Sequence, residues 1–511
     1  MSLNLASFLD VTAAEHPDAT ALKLDDFTMS YTELAVGVKR VANMLVNMGV
    51  EPGDKVAMMI PNTPHFPLLY YGILSAGATV VPLNCLLKAA EIQYQIEDSD
   101  AAAFFAWRAF EEEAAKAFYN TETCKNLVIV SRIEDTEKPK LGELFTPLFF
   151  QASGEFEMVS TTPEDTAVIV YTSGTTGTPK GAELTHFNIF FNAFYAMDHI
   201  VKAKAGDISL AVLPLFHSFG QTCVMNVGLM SGATLTMLPT FDTEKTMEVI
   251  QRDKVTHMAA VPTMYFWMLS LEGGDKYDLS SLRLAVSGGA ALPVEVLNRF
   301  RERYGVRILE GYGLTETSPI CSFNMECRPG SIGTPIWGVD MRVILDDGTF
   351  ADVGDTGEIV VRGHNVMKGY YKKPSATEAA IVDGWFHTGD VGKRDENGYF
   401  FIVDRKKDLI IRGGMNVYPR EIEEVLYGHP DVIETCVIGV ADAARGEEVR
   451  AYVALSQGAE TTDEELRQYC AERMARYKVP KQIKILAGLP KGPTGKLLKR
   501  ELREMARQEP S

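Results

Sequence analysis

The sequence predicts an α/β fold: a large N-terminal part of helix-covered sheets, a small β-rich stretch, and a small α/β C-terminal part. Three observations carry this. Short apolar runs such as KVAMMI, ATVVPL and NLVIVS are each followed by a longer amphipathic stretch, the alternation of parallel strands with covering helices. From Gly333 the pattern turns to glycine-punctuated β runs, as in MRVILDDGTFADVGDTGEIVVRG, where Asp346, Asp347 and Gly348 read as a tight turn. Beyond Lys407 a second α/β pattern begins, with a helix expected from Pro419, strands at ETCVIGV and RAYVALS, and a helix from Thr462. We therefore expect one unit over residues 1–406, with residues 331–406 as its β-rich subdomain, and a second over 407–511. A chain of 511 residues exceeds what one core organises, so more than one domain is required.

Composition narrows the function. The formal net charge of −18 argues against nucleic acid and against adsorption to anionic membranes, so any anionic substrate must be drawn in by local cations. Seven scattered cysteines with no CxxC pair indicate neither a disulfide framework nor a zinc site, and a reducing cytoplasm is the expected location. The opening residues lack a basic region followed by an apolar run, and no stretch of about 18 uninterrupted apolar residues occurs, so no integral membrane span is expected.

The most informative stretch is DTAVIVYTSGTTGTPKGAELTH, from Asp165 to His186. A β-branched apolar run delivers a loop too rich in glycine to be ordered by packing, whose N–H groups and hydroxyls need polar partners. Lys180 follows Gly174 by six residues, as in a P-loop, but Pro179 precedes it and Gly181 follows it, so the P-loop pattern fails. What remains is a clamp in which Thr172, Ser173, Thr175 and Thr176 offer hydroxyls to phosphate oxygens and Lys180 a point charge.

This string resembles the phosphate-binding signature of the adenylate-forming enzymes: acyl- and aryl-CoA synthetases, peptide-synthetase adenylation domains and firefly luciferase. Further stretches resemble that family's motifs in the same order: AVSGGAAL, GYGLTETSP, GWFHTGD, DRKKDLIIRGGMNVYPREIE and GPTGK. The resemblance spans nearly the whole chain. It implies that residues 1–406 bind AMP and that 407–511 form a mobile domain carrying the catalytic lysine, Lys496. It further implies that Thr172, Ser173, Gly174, Thr175, Thr176 and Lys180 hold phosphates, and that Ser287, Gly288, Gly289, Glu310, Gly311 and Tyr312 flank the adenine. Asp390 and Arg405 would reach the ribose, Thr315 a phosphate, and Glu316 the magnesium ion. Lys407 would be the hinge, Gly413 and Gly414 would let coenzyme A pass, and His217 would gate the acid. Lys499 and Arg500 read as solvated.

The reaction so implied is ATP-dependent acyl-CoA synthesis from a small-molecule carboxylic acid, with ATP, Mg²⁺ and coenzyme A. Between Pro214 and Gly228 every side chain is apolar or neutral except His217, which disfavours a diacid. Phe219, Val224 and Met225 suit an alkyl chain, Gly313 would leave depth, and PLFHSFGQ looks most like bacterial fatty-acid CoA ligases. An aryl-CoA ligase, an acyl-AMP ligase loading a carrier protein, and a non-catalytic nucleotide-binding scaffold stay open, as does a homodimer.

Overall fold

The computed structural model of the chain describes residues 2–132, 134–172, 178–442, 445–492 and 496–508. Among these residues the strands form four sheets. The first is built on the parallel strands Thr234–Met237, Ile208–Ala211, His257–Ala260, Leu284–Ser287 and Ile308–Gly313, in that spatial order. The second orders Thr166–Thr172, Thr79–Pro82, Lys55–Met59, Ala101–Trp107 and Asn126–Val130, again all parallel. The apolar runs of the sequence are these buried strands, as continuous Val, Ile and Ala segments should be when both faces are covered.

Helices between the strands are set by local chemistry. Tyr31–Asn47 begins with a capping box, Ser30 accepting from the Glu33 N–H while the Glu33 carboxylate accepts from the Ser30 N–H. It packs on His65–Ser75, a helix apolar around its whole circumference and buried from Phe66 to Ser75. The two helices touch at Gly72, where an added Cβ would lie 2.4 Å from Val41 Cγ1 and 2.5 Å from its Cβ. One continuous core runs from Leu5 to Phe400, so the β-rich stretch shares the interior of the large part.

That stretch is less separate than its sequence implies. Val339–Ile344, Gly357–Gly363, Trp385–Arg394 and Phe400–Arg405 make an antiparallel sheet. However, Thr334–Pro335 extends the first large sheet, and Gly369–Tyr370 returns to pair with Lys180–Thr185 in the second. The Asp346–Gly348 turn joins Ile344 only to a bridge at Phe350, and the main partner strand starts at Gly357. Past a short turn at Lys406–Asp408, Val432–Asp442 and Gly446–Leu455 pair antiparallel, with the helices Pro419–Tyr427 and Asp463–Arg473 against them. Thr462 caps the second helix as its sequence position requires.

Replacing Gly72 by Ala should lower the urea midpoint of unfolding, by about 1–3 kcal/mol of overpacking against Val41. Helix propensity alone would raise it by about 1 kcal/mol, so an unchanged or raised midpoint would refute the close contact.

Candidate active site

The glycine-rich loop joins two strands. Thr166–Thr172 is followed by Lys180–Thr185 in antiparallel register, with Thr172 opposite Lys180. Ser173, Gly174, Thr175 and Thr176 lie outside the described residues. At the loop's two ends, Thr172 Oγ1 donates to Glu316 Oε1 at 3.1 Å and the Lys180 ammonium stands 5.1 Å from the Tyr370 ring centroid. Tyr370 closes the group by donating its hydroxyl to the same Glu316 oxygen at 2.9 Å. Tyr370 is a residue the sequence reading missed. Its only signal was a Gly-Tyr-Tyr sequence among lysines.

The facing wall comes from the ends of two parallel strands of the first sheet, where Ser287 is paired with Glu310. Gly288 abuts the Phe219 ring, 3.1 Å from where its Cβ would be, and Gly289 has a φ of +79°. Gly313 corrects an expectation. Its absent Cβ would lie 1.8 Å from the Pro319 carbonyl oxygen, so glycine is there for backbone approach and contributes no depth to a substrate pocket. Val224 and Met225 are likewise buried in the core, while Phe219 is half-buried. Thr315 and Glu316 occupy a single 3₁₀ turn, Thr315–Thr317, and Thr315 Oγ1 lies 3.3 Å from Ser218 Oγ.

Glu310 is buried, with the Leu292 N–H 3.4 Å from its carboxylate. Burial pushes its carboxyl up to about 7, against a smaller pull from Arg420.

A third group lies where the β-rich sheet meets the first. Tyr312 donates its hydroxyl to Asp390 Oδ2 at 2.7 Å, and Arg405 Nε lies 3.3 Å from Asp390 Oδ1. Asp390 and Arg405 are opposite each other on adjacent strands. Lys496 comes to the same place: its ammonium is pushed down to about 8 by burial first and then by Arg405, with Asp390 acting in the opposite direction. His217 accepts from the Phe219 N–H at 3.3 Å at the start of the short helix Ser218–Gly220. Burial, helped by the charge of Lys496, lowers its imidazole to about 4, so it is neutral at physiological pH.

Gly413 and Gly414, with φ of +58° and +80°, form an exposed turn between Ile410–Arg412 and Met415–Val417. Lys407 is exposed in the Lys406–Asp408 turn, its ammonium lowered by desolvation and by Arg405. Lys499 is not solvated as expected: it is half-buried and paired with Glu423 at 3.0 Å, whereas Arg500 is exposed and pairs with Glu504.

Glu316, gripped by two donors, and the cluster of Tyr312, Asp390, Arg405 and Lys496 thus lie on the stretches that carry the motifs. Two family models match the chain. That of the AMP-binding enzymes matches residues 9–371, and that of the AMP-binding enzyme C-terminal domain matches residues 421–496. The chain belongs to the AMP-binding enzyme family. It is an AMP-forming ligase of the acid–thiol class. A long-chain-fatty-acid–CoA ligase of Bacillus subtilis is 38% identical over 98% of this chain and 94% of its own. A feruloyl-CoA synthase of an Amycolatopsis species is 36% identical over 95% and 96%. Among solved structures, an anthranilate CoA ligase in complex with anthranoyl-AMP superposes with a TM-score of 0.94 at 28% identity, covering 99% of this chain and 98% of that one. No helix among the described residues is long and apolar enough to cross a membrane.

A carboxyl raised to about 7 makes the native state less stable as pH climbs from the ordinary carboxylate range to 7, because the unfolded chain ionises first. Glu310→Gln removes that loss. Relative to the parent, its unfolding midpoint should gain about 1–3 kcal/mol between pH 5 and pH 8; a pH-independent difference would refute the burial argument.

Proposed function

We propose that this chain is an acyl-CoA synthetase acting on medium- to long-chain fatty acids. What supports the reaction is the Arg405–Asp390 pair, with Lys496 near enough for both to act on its charge and for that charge to act on His217. The acid specificity rests on the stretch from Pro214 to Gly228, which bears no charge other than a histidine held neutral, and on the similarity to fatty-acid ligases. The feruloyl and anthranilate relatives make an aryl acid the second reading.

The chemistry needs no activated nucleophile from the protein. A carboxylate is ionised at neutral pH, and one of its oxygens attacks the α-phosphorus of ATP. An acyl–phosphate bond forms, the bond between the α-phosphorus and its bridging oxygen breaks, and pyrophosphate leaves. The obstacle is repulsion between anions, so catalysis consists of positioning and charge stabilisation. Lys180 would meet the departing phosphates and Lys496 the α-phosphate and carboxylate, while Asp390 and Arg405 orient the ribose. In the second step the thiol sulfur of coenzyme A attacks the acyl carbon, the bond to AMP breaks, and the thiol proton passes to solvent.

A magnesium ion fits this site. Both hydrogen bonds to Glu316 land on Oε1 and orient its carboxylate, a hard oxygen donor. No group of three or more His, Cys, Asp or Glu side chains among the described residues could hold a metal, in keeping with an ion that takes its remaining ligands from phosphates and water. Such an ion neutralises phosphate charge. Lys496 and the surface for coenzyme A alternate in the cleft when residues 407–511 swing about Lys407, with Gly413 and Gly414 on the second face. Lys478 and Lys481, candidates for the phosphates of coenzyme A, are paired with Glu421 and with Asp442, the latter at 3.0 Å, in the arrangement described here.

The acid is tested by AMP release with ATP, Mg²⁺ and coenzyme A across straight-chain acids of rising length, benzoate and cinnamate. Turnover should peak on an alkanoate; a peak on the aromatic acids would establish the aryl reading. Lys496→Ala should slow adenylate formation about 10²–10³-fold, the worth of one positioned charge donor, while thioester formation from a supplied acyl adenylate continues. Equal loss in both steps would refute the assignment.

The protonated amine is the useful form of Lys496. For the parent, kcat/KM of the first step should therefore fall as pH rises through about 8, a limb absent from the second step.

A further inference from the structure

We infer that Lys491 and Trp267 form a strap that positions the turn carrying Lys496 against the N-terminal part; the inference rests on the two-step reading above. Lys491 stands at the root of that turn. It bridges Leu497 in antiparallel register, Gly492 donates its N–H to the Lys496 carbonyl at 2.8 Å, and Leu498 donates to the Pro490 carbonyl at 2.9 Å. With the root closed by these bonds, the position of Lys491 fixes where Lys496 starts.

Lys491 is held from both sides. Within the C-terminal part its ammonium pairs with Glu434, a buried carboxylate on Val432–Asp442 that also accepts from the Leu489 N–H at 3.3 Å. In the N-terminal part the same nitrogen lies 4.4 Å from the centroid of Trp267, on the helix Pro262–Ser270, and that indole rests against Phe241 with ring centroids 5.4 Å apart. A cation on an indole face is held more firmly as water is excluded, and the Lys491 side chain is only 20% exposed. One ammonium therefore ties the lysine turn to both parts of the chain. Lys491 is a positioning residue, acting through Lys496.

Substituting Lys491 alone would strand the buried Glu434 carboxylate, so the primary variant is Trp267→Leu, which removes the ring and keeps the ion pair. Pyrophosphate release without coenzyme A reads the first step, using the acid of highest turnover. Thioester formation from the corresponding acyl adenylate plus coenzyme A reads the second. Trp267→Leu should slow the first step about tenfold with the KM of the acid unchanged and leave the second within about twofold. Trp267→Phe, which keeps an aromatic face, should recover most of the loss, and Lys491→Met combined with Glu434→Gln should reproduce the Trp267→Leu split. If the parent performs both steps and Trp267→Leu leaves the first intact or slows both equally, the strap is overturned. A parent that forms no adenylate from any acid overturns the two-step reading itself, and the strap with it.

Discussion

The arrangement of the cleft depends on Asp390. Burial lowers the proton affinity of both Lys496 and Lys407, and Arg405 lowers it further in each, with Lys407 acting on Lys496 as well. Like charges converge this way only if an anion sits among them. Asp390 and Asp408 both act against the lowering of the two lysines, and Asp390 is 5% exposed and fixed by its neighbours: Tyr312 donates to one oxygen, Arg405 approaches the other, and its own N–H donates to Thr388 Oγ1 at 3.0 Å. Tyr312 comes from the first large sheet, Asp390 and Arg405 from adjacent strands of the β-rich sheet, and Lys496 from the C-terminal turn. Four separate stretches of chain are thus registered on one carboxylate, and a ribose with its hydroxyls would have to compete for the same oxygens.

Much of this was legible in the sequence because the motifs are contiguous. Strand ends with glycine and threonine, a Thr-Glu pair after Gly-Tyr-Gly, and an aspartate behind Thr-Gly each encode a local backbone shape, and the structure joins Thr172, Lys180 and Glu316 through Tyr370 in one group and Tyr312, Asp390 and Arg405 in another. What sequence reasoning missed is tertiary. Tyr370 lies beyond the motif it serves, on a two-residue strand that leaves the β-rich sheet to pair with Lys180–Thr185. Gly313 was misread for the same reason. A glycine beside a pocket and a glycine against a carbonyl look identical in sequence, and only the neighbour at Pro319 separates them. Lys499 looked solvated because its helix is basic, yet Glu423 reaches it from another element.

Glu316 shows how geometry refines a motif. A lone glutamate in a loop is ordinarily a surface charge. Here two hydroxyl donors, from the two strands that flank Lys180–Thr185, converge on a single oxygen. Tyr370 also carries the Lys180 ammonium on its ring, so the same aromatic residue relates the clamp cation to the acidic residue. Movement of the strand Gly369–Tyr370 would disturb both at once.

The acidic balance of the chain is then no obstacle to a reaction among anions. A net charge of −18 acts over distances at which salt screens it, roughly 8–10 Å and beyond. Inside the cleft the relevant charges are a few side chains at contact range in a partly dry setting, where each counts for more than on the surface. Lowering the proton affinity of Lys496 among other cations has a chemical use as well. An ammonium whose affinity for its proton has been lowered is stabilised again when a phosphate or carboxylate arrives, so its interaction is stronger with an anionic occupant than with the empty cleft. That differential is what distinguishes a group placed for charge stabilisation from one that merely neutralises a surface.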